Sequence, residues 1–152
     1  WQKSESGHED EFPPEMLFDS LRGIDAEFVS LQKNDEGKCP DWVKKASLDS
    51  WADAAKAIAS CSLVISPDSA VAHLAAAMGV KTWIILPILP NHLWALPGET
   101  TPYYDIAALF RQEKYREWNA PFKLIRELLE AISNNPSNSG EECMDKISEN
   151  GY

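Results

Sequence analysis

Long apolar runs are missing from this 152-residue chain. No stretch approaches the roughly 18 uninterrupted apolar residues that a spanning helix needs, and the first residues lack the charged-then-apolar pattern of a secretory leader. Cysteine is sparse as well: Cys39, Cys61 and Cys143 are irregularly spaced, with Cys61 inside an apolar run, which suggests neither a disulfide framework nor a zinc cluster. The expectation is a cytoplasmic protein in a reducing compartment. Basic residues are also scarce, with 14 Lys and Arg against 24 Asp and Glu and a formal net charge of −10. Nucleic-acid partners need clustered cations to displace counterions, so DNA and RNA are excluded as expected ligands. No G-x-G-x-x-G or G-x-x-x-x-G-K-[ST] loop is present, and neither is an Asp-x-Asp pair. No cofactor is expected.

What is present reads as one α/β domain over residues 1–133, followed by a flexible tail at 134–152 that is rich in Asn, Ser, Gly and Glu. The opening WQKSESGHEDEF looks like a strand clipped just before its loop, so the chain is expected to be a piece of a longer one. PPEMLFDSLRGI has Pro at its start, apolar residues at helical spacing and Gly23 near its end, and predicts a short helix. EFVSLQ at 27–32 predicts a strand, and KNDEGKCPDW a loop. Asp49 or Ser50 is placed to cap a helix through Ala54, Ala57 and Ile58. SLVIS at 62–66 has the apolar, partly β-branched character of a central parallel strand. DSAVAHLAAAMG, with Asp68 as a capping-type residue and Gly79 as its stop, predicts the next helix. TWIILP, a long aromatic loop, a strand IAALFRQ at 106–112 and the amphipathic helix APFKLIRELLEAISN complete the pattern. Helices alternating with short apolar strands predict a three-layer, Rossmann-like domain with a mainly parallel sheet, and its ligand crevice belongs at the strand carboxyl ends.

The densest signal is SLVISPDSAVAHLAAAMGVKTWIILP, which gives strand, tight turn, helix start and strand in direct succession. The free N–H groups and the dipole of a helix start favour an anion, and Ser66 and Ser69 add hydroxyls there. Asp68 has the plain reading of an N-cap, and His73 that of a packed or surface histidine; the functional reading makes His73 a donor to a phosphate or a sugar hydroxyl. Trp94, Tyr103 and Tyr104 either stack on a base or sugar or pack their loop onto the domain, and packing is the commoner fate of large aromatics. His92 reads as a surface residue.

This run, followed by PNHLWALPGETTPYYDIAALFRQ, resembles the C-terminal domain of glycosyltransferase family 9, the heptosyltransferase-like enzymes, in the versions fused to tetratricopeptide repeats. An Asp-Thr/Ser pair, a His five residues after the Asp and a small-residue helix are matched by Asp68, Ser69, His73 and Ala75 to Gly79, and the resemblance covers about residues 1–132. It implies the C-terminal half of a two-domain GT-B glycosyltransferase. This half would bind the nucleoside-diphosphate sugar; a missing N-terminal domain would bind a saccharide, lipid-linked or protein acceptor and carry the catalytic base.

On that resemblance Asp68, Ser69, His73, Lys33 and Lys3 face the diphosphate and donor sugar, while Gln32, Leu48, Asp49 and Trp51 lie near the nucleoside. Hexosyl or heptosyl transfer would be metal-independent, and this chain alone would be incomplete and inactive. Three departures are visible, the first being Pro67 before Asp68, where a small β-branched residue is commoner. The first loop reads SGHEDEFPPE, leaving Lys3 and His8 where the family supplies an Arg or Lys beside a Ser, and PNHLWAL stands where repeat-fused relatives have Asp-Trp-Arg-Trp. They support the alternative of a degenerate, non-catalytic binding or scaffold module. An unrelated Rossmann or flavodoxin-like domain is a third reading, one without a glycine-rich loop to support it.

Overall fold

The structure, a computed structural model, describes residues 12–33 and 37–134. Lys3, His8, Cys143 and the expected tail beyond Asn134 lie outside the described residues. The element order is α1 (Pro14–Leu21), β1 (Val29–Ser30), β2 (Lys44–Lys45), α2 (Trp51–Ala59), β3 (Val64–Pro67), α3 (Ala70–Ala77), β4 (Thr82–Leu86), a 3-10 turn (His92–Trp94), β5 (Ala107–Arg111) and α4 (Asn119–Asn134).

All described strand ladders are parallel. β1 pairs with β2, and a separate three-stranded sheet runs β3-β4-β5 with Val64 opposite Thr82 and Thr82 opposite Ala107. The fold is thus α/β and Rossmann-like, as the alternating pattern predicts. One expectation is corrected: SLVIS reads as the central strand, yet β3 lies at the edge of its sheet and β4 occupies the centre. Every residue of β4 is buried, whereas β3 alternates buried and half-buried positions. β2 carries no strand signal in the sequence, because its two lysines are exposed and show no apolar alternation.

Successive side chains on a strand point to opposite faces, and this divides the core in two. Trp83 and Ile85 of β4, with Ala108 and Phe110 of β5, pack against Leu17 and Leu21 of α1 and Phe122, Ile125, Leu128 and Leu129 of α4. Ile84 and Leu86, with Ala107 and Leu109, pack on the other face against Ala72 of α3 and Trp94. α2 joins that second layer through Ile58, which meets Ala75 of α3 and Val64 of β3. Fully burying one such aliphatic side chain contributes about 1.5–3 kcal/mol, against a few tenths for an exposed i,i+4 pair such as Lys123–Glu127. The strand faces, rather than the surface charges, therefore fix where the helices sit.

Local caps agree with this packing. Ser50 and Asp53 form a reciprocal capping box at the start of α2: Ser50 Oγ accepts from the Asp53 N–H at 3.2 Å, and Asp53 Oδ2 accepts from the Ser50 N–H at 3.1 Å. α3 ends in a Schellman arrangement, with the Val80 N–H on the Ala75 carbonyl and the Gly79 N–H on the Ala76 carbonyl, each at 3.1 Å. Gly79 has φ +76°, the left-handed conformation this ending requires.

Candidate functional site at the start of the third helix

β3 delivers the chain to its carboxyl end at Pro67, and α3 opens three residues later at Ala70. Here the sequence expectation is corrected: the N-cap is Ser69, not Asp68, and the Ser69 hydroxyl accepts from the Ala72 N–H at 3.3 Å. Ser66, buried near the end of β3, reaches the same hydroxyl, with the two Oγ atoms 2.8 Å apart. With capping assigned to Ser69, the Asp68 carboxylate is left to other partners. It lies 3.6 Å from His73 Nε2, and both side chains are about a third exposed.

His73 has neighbours from two further segments. Its Nδ1 lies 3.0 Å from the Tyr104 hydroxyl, and its ring stacks on Trp94 with centroids 5.2 Å apart and planes inclined by 27°. Trp94 is 1% exposed, and its indole N–H is buried without an acceptor among the described residues. The two readings of the aromatic loop therefore divide by residue. Trp94 packs beneath His73, Tyr104 packs beside it and bonds it, and Tyr103 is exposed. His92 is exposed in the 3-10 turn.

The aromatic loop is held by a residue that sequence reasoning missed. Arg111, at the end of β5, donates from Nε to the Gly98 carbonyl at 2.8 Å, from Nη1 to the Trp94 carbonyl at 2.9 Å and from Nη2 to the Leu96 carbonyl at 2.7 Å. Partial burial lowers its pKa from the ordinary guanidinium value. Gln112, buried beside it, accepts from the Ile88 N–H at 3.1 Å and pins the first residues after β4. No sequence signal marks Arg111 for this task, since an Arg closing a strand is ordinarily a solvated charge.

The remaining candidates occupy other places. Gln32 is half-buried after β1, with its N–H on Ser30 Oγ at 3.3 Å, and Lys33 beside it is exposed. Leu48, Asp49 and Trp51 lead into α2; Asp49 accepts from the Ser47 hydroxyl at 3.1 Å, and Trp51 is 64% exposed on the first residue of the helix. The cluster of Ser66, Asp68, Ser69, His73, Trp94 and Tyr104 is assembled without them. Among the described residues no group of three or more His, Cys, Asp or Glu is gathered as a metal site, and Cys39 and Cys61 are free thiols.

Residues 38–85 match the model of glycosyltransferase family 9 (heptosyltransferase). The match supports that family and, with it, transferase chemistry. The family 9 segment takes in β2, α2, β3, α3 and all of β4 except Leu86, and so includes Asp68, Ser69, His73, Leu48, Asp49 and Trp51. Trp94, Tyr104 and Arg111 fall beyond it. No curated protein and no solved structure matches the chain. No helix among the described residues is long and apolar enough to cross a membrane.

Proposed function

We propose that this chain is the donor-binding domain of a family 9 glycosyltransferase of GT-B architecture, taking the nucleoside diphosphate of an activated sugar at the start of α3. The observation that carries the reading is the position of Ser66, Asp68, Ser69 and His73 at the carboxyl end of a parallel strand, within the segment that matches the family. Oriented N–H groups and an imidazole at a helix start stabilise the charge that develops on a departing diphosphate without a metal ion. Lys33 and Lys3 would add charge to the diphosphate, and Gln32, Leu48, Asp49 and Trp51 would form the nucleoside side of the pocket. Acceptor and catalytic base belong to a missing N-terminal domain in a repeat-fused, cytoplasmic parent.

One observation favours the second reading, a degenerate binding or scaffold module. Among the described residues the cluster around His73 includes no Lys or Arg side chain, and Arg111 is committed to three loop carbonyls. Calorimetric titration with UDP, ADP, GDP and their sugars at low salt separates the two. The donor reading expects one selective binder whose affinity falls several-fold in His73→Ala while the domain stays folded. Uniform silence from both this domain and its full-length parent would leave the scaffold reading.

A further inference from the structure

We propose that Tyr104 is a positioning residue that fixes which edge of the His73 ring faces the start of α3, so that the neutral imidazole presents Nε2–H there. The orientation stands on this structure alone, and only its purpose rests on the donor-domain reading above. Three neighbours each remove one freedom of the ring. Trp94 sets its plane through the stack at 5.2 Å, a contact that leaves a half-turn about the ring axis still allowed. Tyr104 removes that half-turn, because only one orientation places Nδ1 3.0 Å from its hydroxyl.

Asp68 then selects the tautomer. An ionised carboxylate only accepts, and its Oδ1 lies 3.6 Å from Nε2. A proton on Nε2 meets it favourably, whereas a bare Nε2 lone pair would face a like partial charge. The Tyr104 hydroxyl, which can either donate or accept, completes the arrangement by donating to the unprotonated Nδ1. The outcome is one N–H donor and one carboxylate acceptor side by side, next to the Ser66 and Ser69 hydroxyls.

The test is ¹⁵N NMR of the imidazole nitrogens at pH ~8.5, where an ordinary imidazole is neutral. The chain has three histidines, and subtraction of a His73→Gln spectrum isolates His73. The expected wild-type pattern is a protonated Nε2 and a hydrogen-bonded, unprotonated Nδ1; Tyr104→Phe is expected to lose the Nδ1 hydrogen-bond shift and to show an exchanging ring. A wild-type signal with the proton on Nδ1 would overturn the proposal even if the Phe variant failed to fold, and so would a Phe variant whose His73 nitrogens match the wild type. Among the sugars of UDP, ADP and GDP, the one that binds the wild type should bind Tyr104→Phe about 2- to 10-fold more weakly, the loss of one hydrogen bond. If no nucleotide sugar binds this domain, its Tyr104→Phe variant or the full-length parent while the ¹⁵N pattern and its loss are both seen, the positioning stands and the donor reading falls.

Discussion

Arg111 reaches the backbone of Trp94 rather than its ring: the guanidinium Nη1 donates to the Trp94 carbonyl at 2.9 Å, while the indole itself turns inward to stack on His73. The last residue of β5 thereby sets the height of the floor on which the candidate site is built. Because the other two nitrogens hold Leu96 and Gly98, one side chain fixes most of a loop that has little regular structure of its own.

Arg111→Met, which keeps the aliphatic stem but removes all three donors, should destabilise the domain by about 2 kcal/mol, since hydrogen bonds from a charged donor are worth more than neutral ones. Arg111→Lys should recover less than half of this, because a single ammonium cannot reproduce the planar fork. Urea denaturation measures both, and a Met variant as stable as the wild type would show that the loop is held by its apolar contacts alone.

Gly79→Ala should cost about 1 kcal/mol through backbone conformation. A Cβ built at Gly79 meets nothing within 4 Å, so crowding makes no contribution and φ +76° carries the whole effect. Gly79→Asn should cost less than Gly79→Ala, because Asn tolerates the left-handed region better. Thermal unfolding of the two variants decides it, and the reverse order would refute the conformational account.

Asp53 gives a pH dependence with a definite sign. Its carboxyl is held below the ordinary value, first by the Ser50 hydroxyl, with Lys56 adding to the effect. A depressed folded-state pKa contributes stability that is present above the ordinary carboxylate range and lost as pH falls through the folded value. Asp53→Ala should therefore melt below the wild type at pH 7, and the gap should close as pH falls below the carboxylate range. A gap that stays constant with pH would mean that the capping box does not depend on the charge.

Arg126 on α4 donates from Nη1 to the carbonyls of Asp19, Ser20 and Arg22, at 3.3, 3.4 and 3.0 Å, where α1 ends. A cation at this position answers unpaired carbonyls and the helix dipole together. Arg126→Ala should raise amide hydrogen exchange around the end of α1 more than at β4, with a stability loss of about 1 kcal/mol. Equal changes at both places would indicate global rather than local loosening.

Most of the elements were legible because their signals are local. Gly79 marks the end of α3, a capping residue at Asp49 or Ser50 marks the start of α2, and the continuous apolar character of TWIIL marks a strand buried on both faces. What stayed hidden was relational. Ser69 rather than Asp68 caps α3, since the two capping-type residues stand side by side and only the turn after Pro67 decides which hydroxyl or carboxylate meets the helix N–H groups. β2 is two exposed lysines made into a strand by pairing with β1.

The sequence by itself determined the class of the fold and the segment in which the candidate site lies, because strand and helix periodicity, caps and the Asp-Ser-x-x-x-His spacing are properties of neighbouring residues. Tertiary structure alone decided the strand order, the partnership of His73 with Tyr104 across 31 residues, and the commitment of Arg111 to the loop beneath them. Such choices are settled by which faces meet when the two layers close on β4, and no spacing along the chain encodes that meeting.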